Sequence, residues 1–207
     1  VDEVGDGSNV VVTVPRYFDQ LWIADALRDR PGVSYGALYP DYFTSASAWD
    51  GEPRRYVLIG VDAITDLDPD MVIRSNERFS LVDLRRGEGL IAVATAGWWP
   101  SESVPPVVSQ WMADEGQLLV VAAPGTDPRL RVEGQALDLL SPLGVVVREV
   151  GGPALARTTT TAAVGGFTVP LPGPVAFLVI DNDEPAVLPG TGDVRLLSFR
   201  LTGLRRG

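Results

Sequence analysis

The stretch from Leu90 to Asp127, LIAVATAGWWPSESVPPVVSQWMADEGQLLVVAAPGTD, decides the predicted fold. It opens with an apolar run, Leu90 to Ala96, and another apolar run, Gln117 to Ala123, lies near its end. Continuous apolar runs of this length are typical of strands that are covered on both faces of a sheet. The stretch therefore contains two predicted strands with one element between them.

The element between the two strands is predicted to be a helix. Ser101 suits its N-cap, and Pro105 and Pro106 suit the first turn, where a missing backbone N–H costs little. The apolar residues between 107 and 112 then share one helical face, and Gly116 ends the helix. The whole stretch thus predicts a β–α–β unit.

The same alternation of strands and helices extends in both directions. Further predicted strands lie at 9–14, 33–39, 56–61 and 145–150, and further predicted helices lie at 18–28 and between 128 and 144. Residues 40–55 predict a surface loop because they are rich in turn-forming types, while residues 71–88 fit either an edge strand or a helix. Repeated β–α–β crossovers imply a parallel sheet with right-handed connections.

These elements predict an α/β fold, a three-layer sandwich with a mainly parallel central sheet flanked by helices. After Gly151 the pattern changes to short strands separated by Pro-Gly and Gly-Thr-Gly turns, with few order signals in TTTTAAVGG. We expect residues 1–150 to form the α/β core. Residues 151–207 are predicted to add a C-terminal antiparallel strand extension that closes the same domain.

The composition excludes several classes of function. The 207 residues carry a formal net charge of −10, and all 17 basic residues are Arg. Because no run of basic residues offsets the acidic balance, nucleic-acid binding is not expected. The chain has no Cys and no His, which removes thiolate chemistry and the commonest general base and metal ligand. No cofactor is predicted.

The longest apolar runs are far shorter than the roughly 20 residues that span a bilayer, so this chain is not expected to insert into a membrane. It begins at Val1 without Met or a signal-like segment. That start is expected of a processed protein, or of one domain of a larger and membrane-anchored protein.

The stretch from Leu90 to Asp127 resembles class I glutamine-amidotransferase-like domains, which have a strand, a small turn, a helix ending in W-x-x-x-x-G and a buried strand. The tail AFLVIDNDEPAVLPGTGDVRLLSF is similar to the closing hairpin of these domains. Members of the family include auxiliary domains of ABC-transport and gliding-type membrane proteins, and trimerisation domains of β-galactosidases. The resemblance implies a flavodoxin-like fold.

In the catalytic members of that family the buried strand ends at a Cys that a His assists. The matching position here is Ala123, which cannot attack a carbonyl, and the chain has no imidazole. Ala123 is therefore a vacant nucleophile position. The resemblance implies a pseudoenzyme, a degenerate enzyme-like scaffold without catalytic residues.

Five residues at the ends of predicted strands are candidates for a binding surface: Trp98, Trp99, Ser101, Glu102 and Asp127. The paired tryptophans could form an aromatic platform for a sugar ring or for an apolar side chain of a partner. In the alternative, one Trp packs on the neighbouring helix, the other covers the sheet edge, and Ser101 serves only as an N-cap.

The acidic segment DAITDLDPD contains Asp62, Asp66, Asp68 and Asp70, whose carboxylates could act in hydrolysis or bind a hard metal ion. It lacks the Gly and the closing Glu of a calcium loop at the expected spacing. Capping and turn roles for these acids are the alternative. No metal site is predicted.

The preferred functional hypothesis is a non-catalytic, amidotransferase-like binding or assembly module of a larger membrane-associated or surface system. A protein partner or self-association is expected, carbohydrate is a further candidate ligand, and an extracytoplasmic or membrane-associated location is favoured over the cytoplasm. Two alternatives stay open. They are a carboxylate-dependent hydrolase or carbohydrate-active enzyme, and an extracytoplasmic domain of an ABC transporter permease.

Overall fold

The structure of the protein is a computed structural model that describes residues 10–13, 35–37, 56–60, 68–87, 89–95, 97–99, 102–104, 107–123, 125–190 and 192–207. Strands dominate these ranges. They are β1 (Val10–Thr13), β2 (Tyr35–Ala37), β3 (Tyr56–Gly60), β4 (Val72–Ser75), β5 (Phe79–Asp83), β6 (Leu90–Ala94), β7 (Glu102–Val104), β8 (Val107–Trp111), β9 (Glu115–Ala122), β10 (Arg129–Ala136), β11 (Leu143–Glu149), β12 (Ala154–Thr160), β13 (Gly165–Pro170), β14 (Val175–Asn182) and β15 (Phe199–Arg206). Single turns of 3-10 helix lie at Pro69–Met71 and Asp138–Leu140.

The chain divides into two compact units. The first comprises residues 1–63, 67–89 and 122–126, and the second comprises residues 64–66, 90–121 and 127–207. The predicted domains, 1–150 and 151–207, stay a prediction.

The first unit contains one five-stranded sheet in the order β2-β1-β3-β5-β4. Strand β1 pairs in parallel with β2 and β3, whereas β5 pairs antiparallel with β3 and β4. The ambiguous segment 71–88 therefore contains a hairpin of β4 and β5. The predicted helix at 18–28 and the predicted loop at 40–55 lie outside the described residues.

The second unit is a β-sandwich of two five-stranded sheets. We call the sheet β13-β10-β15-β8-β7 the front sheet and the sheet β12-β11-β14-β9-β6 the back sheet. In both sheets, the strand pairs whose residue register the structure defines are antiparallel. Apolar side chains of both sheets share one buried core, which includes Leu118, Leu130, Leu178 and Leu201. Burial of these side chains is the main term that holds the two sheets together.

Strand β10 illustrates why this sequence forms a sandwich. Its residues alternate, so that Leu130, Val132 and Ala136 are fully buried while Arg129 is exposed and Arg131 is half-buried. A period of two residues places one set of side chains in the core and the other in water. Strand β10 thus buries one face against the opposing sheet and presents the other to solvent.

The predicted α/β sandwich is wrong. The segment predicted as a helix after Ser101 contains β7 and β8, and the predicted helix between 128 and 144 contains β10 and one turn of 3-10 helix. The apolar residues at 130, 132 and 136 are separated by even intervals, which suits a strand with one buried face. The structure therefore also contradicts the resemblance to flavodoxin-like amidotransferase domains, because the second unit is an antiparallel sandwich.

The C-terminal tail is not an added extension of a parallel sheet. Strand β14 lies in the centre of the back sheet, and β15 lies in the centre of the front sheet. Residues after 151 therefore complete both layers of the sandwich. In the part of the chain that the structure describes, no helix has the length and apolarity needed to cross a membrane.

Candidate functional site

The outer face of the front sheet gathers one aromatic and several charged side chains. Arg200 on β15 lies opposite Trp111 on β8, and Ser109 on β8 lies opposite Glu102 on β7. Directly opposed residues share a face of the sheet, and so do residues two apart on one strand. Together with Arg195, these four residues form what we call the Arg200 cluster.

Three side chains hold the guanidinium of Arg200. Its Cζ lies 5.6 Å from the centroid of the Trp111 ring, and its Nε donates to Ser109 Oγ at 2.9 Å. Its Nη2 lies 4.0 Å from Glu102 Oε2. A guanidinium fixed by stacking, a hydrogen bond and an ion pair loses little side-chain freedom when a ligand binds to it.

Arg195 links two carboxylates at the edge of the cluster. Its Nη2 donates to Glu102 Oε1 at 2.6 Å and to Asp193 Oδ2 at 2.5 Å. Hydrogen bonds from Arg195 lower the pKa of Asp193 to about 2, and the same contacts raise the pKa of Arg195. Asp193 therefore stays ionised at neutral pH and accepts hydrogen bonds only.

Trp99 borders the same cluster. Its Nε1 donates to the carbonyl oxygen of Leu196 at 3.0 Å, and its backbone N–H donates to the carbonyl of Trp111 at 2.8 Å. Leu196 follows Arg195 directly and is 45% exposed, and nearby Val194 is 89% exposed. The half-buried Trp99 ring and these two side chains make the border of the cluster apolar.

Trp98 has a structural role in contrast to Trp99. Its indole packs over Gly116, where an added Cβ would collide with the ring, and its Nε1 donates to the carbonyl of Gln117 at 2.8 Å. Trp98 also packs against the buried core of the sandwich. The Trp98 ring is therefore part of the core packing, whereas the Trp99 ring lies at the border of the cluster.

The other predicted site residues lie apart from the cluster or outside the described ranges. Glu102 belongs to the cluster, and Ser101 lies outside the described residues. Asp127 pairs with Arg129, whose hydrogen bond lowers the pKa of Asp127. Ala123, the predicted vacant nucleophile position, is buried at the end of β9, and its N–H donates to the carbonyl of Gly89 at 2.9 Å.

Sequence reasoning missed four members of the cluster: Ser109, Trp111, Arg195 and Arg200. Ser109 and Trp111 fell within a predicted helix, although their spacing of two residues is also the spacing of one strand face. Arg200 lies far along the chain from both, and only the pairing of β8 with β15 brings it to them.

The acidic segment does not supply a metal centre where the structure describes it. Asp68 caps the turn at Pro69–Met71, and its Oδ1 accepts from the N–H of Asp70 at 3.0 Å. Among the described residues, no group of three or more acidic side chains could hold a metal ion. Asp62 and Asp66 lie outside those residues.

Comparison with known proteins identifies no family. No protein-family model matches the sequence, and no curated protein matches it. Among solved structures, a family 29 carbohydrate-binding module is 8% identical, with a TM-score of 0.30 over 56% of this chain and 91% of that module. A cleaved adhesin domain of Lys-gingipain is 12% identical, with a TM-score of 0.31 over 78% of this chain and 95% of the domain.

A peptidoglycan O-acetylesterase is 10% identical, with a TM-score of 0.31 over 97% of this chain and 43% of the esterase. TM-scores of this size do not establish a shared fold. The function of this protein therefore has to be inferred from its own residues.

Proposed function

We propose that this protein is a non-catalytic carbohydrate-binding module whose recognition surface is the Arg200 cluster. The observation that carries the proposal is the fixed position of Arg200, which Trp111, Ser109 and Glu102 hold on the outer face of the front sheet. A side chain that is already ordered binds a ligand without the usual entropy cost of ordering it.

The chemistry of the cluster suits a sugar. A sugar ring has an apolar face and an edge of hydroxyl groups that both donate and accept hydrogen bonds. Arg200 and Arg195 provide donors, and Glu102 and Asp193 provide acceptors beside them. Trp99 adds an apolar surface at the border of the cluster. A donor and an acceptor side by side can bind two neighbouring hydroxyl groups.

The same electrostatics favour binding over hydrolysis. Hydrolysis of a glycosidic bond needs one carboxyl group with a raised pKa, which acts as the general acid. Glu102 and Asp193 contact the same Nη2 of Arg195, and this arginine lowers the pKa of Asp193. Asp193 is thus held as an acceptor and not as a general acid. A surface or extracytoplasmic location would bring such a module to its ligand.

Native electrophoresis through gels that contain one soluble polysaccharide each tests the proposal. The set should include neutral chains (mannan, xylan and mixed-linkage glucan) and acidic chains (polygalacturonate, alginate and hyaluronan). At least one polysaccharide should retard the protein, and Arg200→Ala should remove the retardation. Arg157→Ala, a matched change of an exposed arginine on the back sheet, should leave it unchanged.

A protein that no polysaccharide retards would contradict the proposal, as would full retardation of a folded Arg200→Ala variant. Release of new reducing ends from a bound polysaccharide would contradict the non-catalytic part. Circular dichroism and thermal unfolding of each variant should accompany the gels, so that a loss of binding is not confused with a loss of structure.

A further inference from the structure

The charges of the Arg200 cluster balance within the cluster itself. Its two guanidinium groups belong to Arg195 and Arg200, and its two carboxylates belong to Glu102 and Asp193. Arg195 pairs with both carboxylates. The second guanidinium, that of Arg200, lies 4.0 Å from the carboxylate of Glu102. Each charge of the cluster therefore faces a charge of opposite sign, and the formal charges of these four side chains cancel.

A ligand can reach all four charged side chains. Each of them is between 23% and 32% exposed. Charges that are partly buried are screened less by water and salt than charges that are fully exposed. A charge on the ligand therefore has a larger effect on binding here than at an open surface position.

The guanidinium of Arg195 already holds a carboxylate of the protein. Its Nε lies 2.9 Å and 3.1 Å from the two carboxylate oxygens of Asp193, and its Nη2 donates to the same carboxylate. Nε and Nη2 are the two parallel donors with which an arginine binds a carboxylate in a bidentate pair. A carboxylate of a ligand has to displace Asp193 to use these donors.

Arg200 presents a donor beside an acceptor. Its Nε donates to Ser109 Oγ at 2.9 Å, and its Nη2 faces Oε2 of Glu102. An anion that approaches this Nη2 also approaches the carboxylate of Glu102, and repulsion between like charges opposes its binding. A hydroxyl group can instead accept from Arg200 and donate to Glu102. The arrangement favours a hydroxyl group over a carboxylate.

The apolar border of the cluster has the same preference. Val194 is 89% exposed and Leu196 is 45% exposed. The next residue, Leu197, exchanges two backbone hydrogen bonds with Val187, at 3.1 Å and 2.9 Å, which anchors this part of the border. Contact with apolar side chains removes water from a ligand, and that loss costs a carboxylate more than an uncharged sugar ring.

We propose that the ligand of the Arg200 cluster is a neutral polysaccharide, and that Glu102 and Asp193 exclude acidic chains. This inference rests on the proposed function and gives it a ligand class. A neutral sugar leaves the ion pairs of the cluster intact, because its hydroxyl groups bind between the paired charges. An acidic sugar has to break an ion pair or place its own carboxylate beside Glu102 or Asp193, and both events cost binding free energy.

Matched derivatives of one polysaccharide isolate the effect of charge. The neutral polysaccharide that retards the protein should be lightly carboxymethylated in one sample and lightly hydroxyethylated to the same degree in another. The two substituents are similar in size, and only the first is charged. By calorimetry we expect the carboxymethyl form to bind about tenfold more weakly than the unmodified chain, because like charges repel at the cluster. The hydroxyethyl form should bind within about threefold of it, and added salt should reduce the difference.

Protein variants assign the discrimination to the cluster. Glu102→Gln and Asp193→Asn each remove one negative charge and keep the size of the side chain, so each should reduce the tenfold difference to about threefold or less. Glu115→Gln is the matched control, because Glu115 also pairs with an arginine, Arg148, but lies on the back sheet. It lowers the net negative charge of the protein by the same amount and should keep the wild-type difference. Circular dichroism should verify that each variant is folded.

The outcomes separate this inference from the proposed function. An acidic polysaccharide as the tightest ligand would overturn the neutral preference and leave carbohydrate binding in place. Equal weakening by both substituents would show that size is discriminated instead of charge, and would also overturn the inference. A tenfold difference that persists in folded Glu102→Gln and Asp193→Asn, or that Glu115→Gln reduces equally, would assign the effect to the charge of the whole protein and overturn the role of the cluster. Failure to bind any polysaccharide would overturn the proposed function itself.

Discussion

The guanidinium of Arg200 lies over the indole of Trp111, with its Cζ 5.6 Å from the ring centroid. The two residues are directly opposed on antiparallel strands, and Trp111 is only 9% exposed. Contacts of this kind are worth about 0.5–2 kcal/mol, depending on how far the cation is desolvated. In the proposed recognition surface, Trp111 is therefore a positioning residue that would act on a ligand through Arg200.

Replacement of Trp111 should weaken binding of the sugar, although Trp111 itself is not expected to contact the sugar. Trp111→Leu keeps an apolar side chain on β8 but removes the surface on which Arg200 stacks, so we expect affinity to fall about threefold to thirtyfold. A double-mutant cycle with Arg200→Ala, measured by calorimetry on a polysaccharide that binds, should be non-additive. Additive losses would mean that Trp111 acts independently of Arg200.

The carboxyl group of Asp193 should titrate at an unusually low pH. Carbon-13 NMR should report a pKa of about 2, compared with the ordinary 3.8, because Arg195 favours the ionised form. In Arg195→Ala the pKa should rise toward its ordinary value, whereas Arg157→Ala should leave it low. An ordinary pKa in the wild-type protein would show that the ion pair does not persist in solution.

The same shift makes a small part of the folding stability depend on pH. The folded state favours ionised Asp193, so the pair stabilises the fold fully above about pH 4. The stabilisation is lost as the pH falls toward 2, where the folded group takes up its proton. The difference in free energy of unfolding between the wild type and Asp193→Asn should therefore shrink between pH 5 and pH 2. A difference that grows over this range would contradict the assignment.

Gly116 should not tolerate a side chain. In Gly116→Ala the new methyl group would collide with the indole of Trp98, and overpacking of this kind costs about 1–3 kcal/mol. Gly165→Ala is a matched control, because a Cβ at this exposed strand position meets nothing within 4 Å. Urea unfolding should separate the two variants. Equal stabilities would mean that Trp98 does not pack where the structure places it.

The two neighbouring tryptophans should respond differently to truncation. Trp98→Ala removes core packing and the hydrogen bond to Gln117, so we expect a loss of about 2 kcal/mol or more in unfolding free energy. Trp99→Ala should leave stability within about 1 kcal/mol of the wild type and reduce polysaccharide affinity about threefold to tenfold. Reversed behaviour of the two variants would contradict their assigned roles.

Strand positions were easier to predict than the type of fold. Residues 56–61 and 117–123 were predicted as strands from continuous apolar runs, and β3 and β9 lie there. The error arose at residues 128–144, where scattered leucines suggested a helix. Leu139, which lies within that predicted helix, is 67% exposed, whereas Leu130 and Val132 of β10 are fully buried. Helix and strand periods overlap in short segments, and the partner sheet decides between them.

The candidate site was less accessible to sequence reasoning than the strands. Trp99 and Glu102 were named from the turn after a predicted strand; in the structure Trp99 donates to the carbonyl of Leu196, and Glu102 accepts from Arg195. Arg195 and Arg200 carried no local signal, because an isolated arginine on an amphipathic strand is typical of any solvated sheet face. Their role depends on which residues lie opposite them.

By itself the sequence determined that the chain has no thiol, no imidazole and no lysine, and that it is acidic overall. It also determined which short segments are apolar enough to become strands. Only the tertiary structure decided where the charge lies. Arg131 and Arg205 are distant in the chain, and neither lies in a long run of basic residues. Strand pairing nevertheless places both beside Glu133. Hydrogen bonding between strands is non-local, so side chains that are distant in the chain can form one charged cluster.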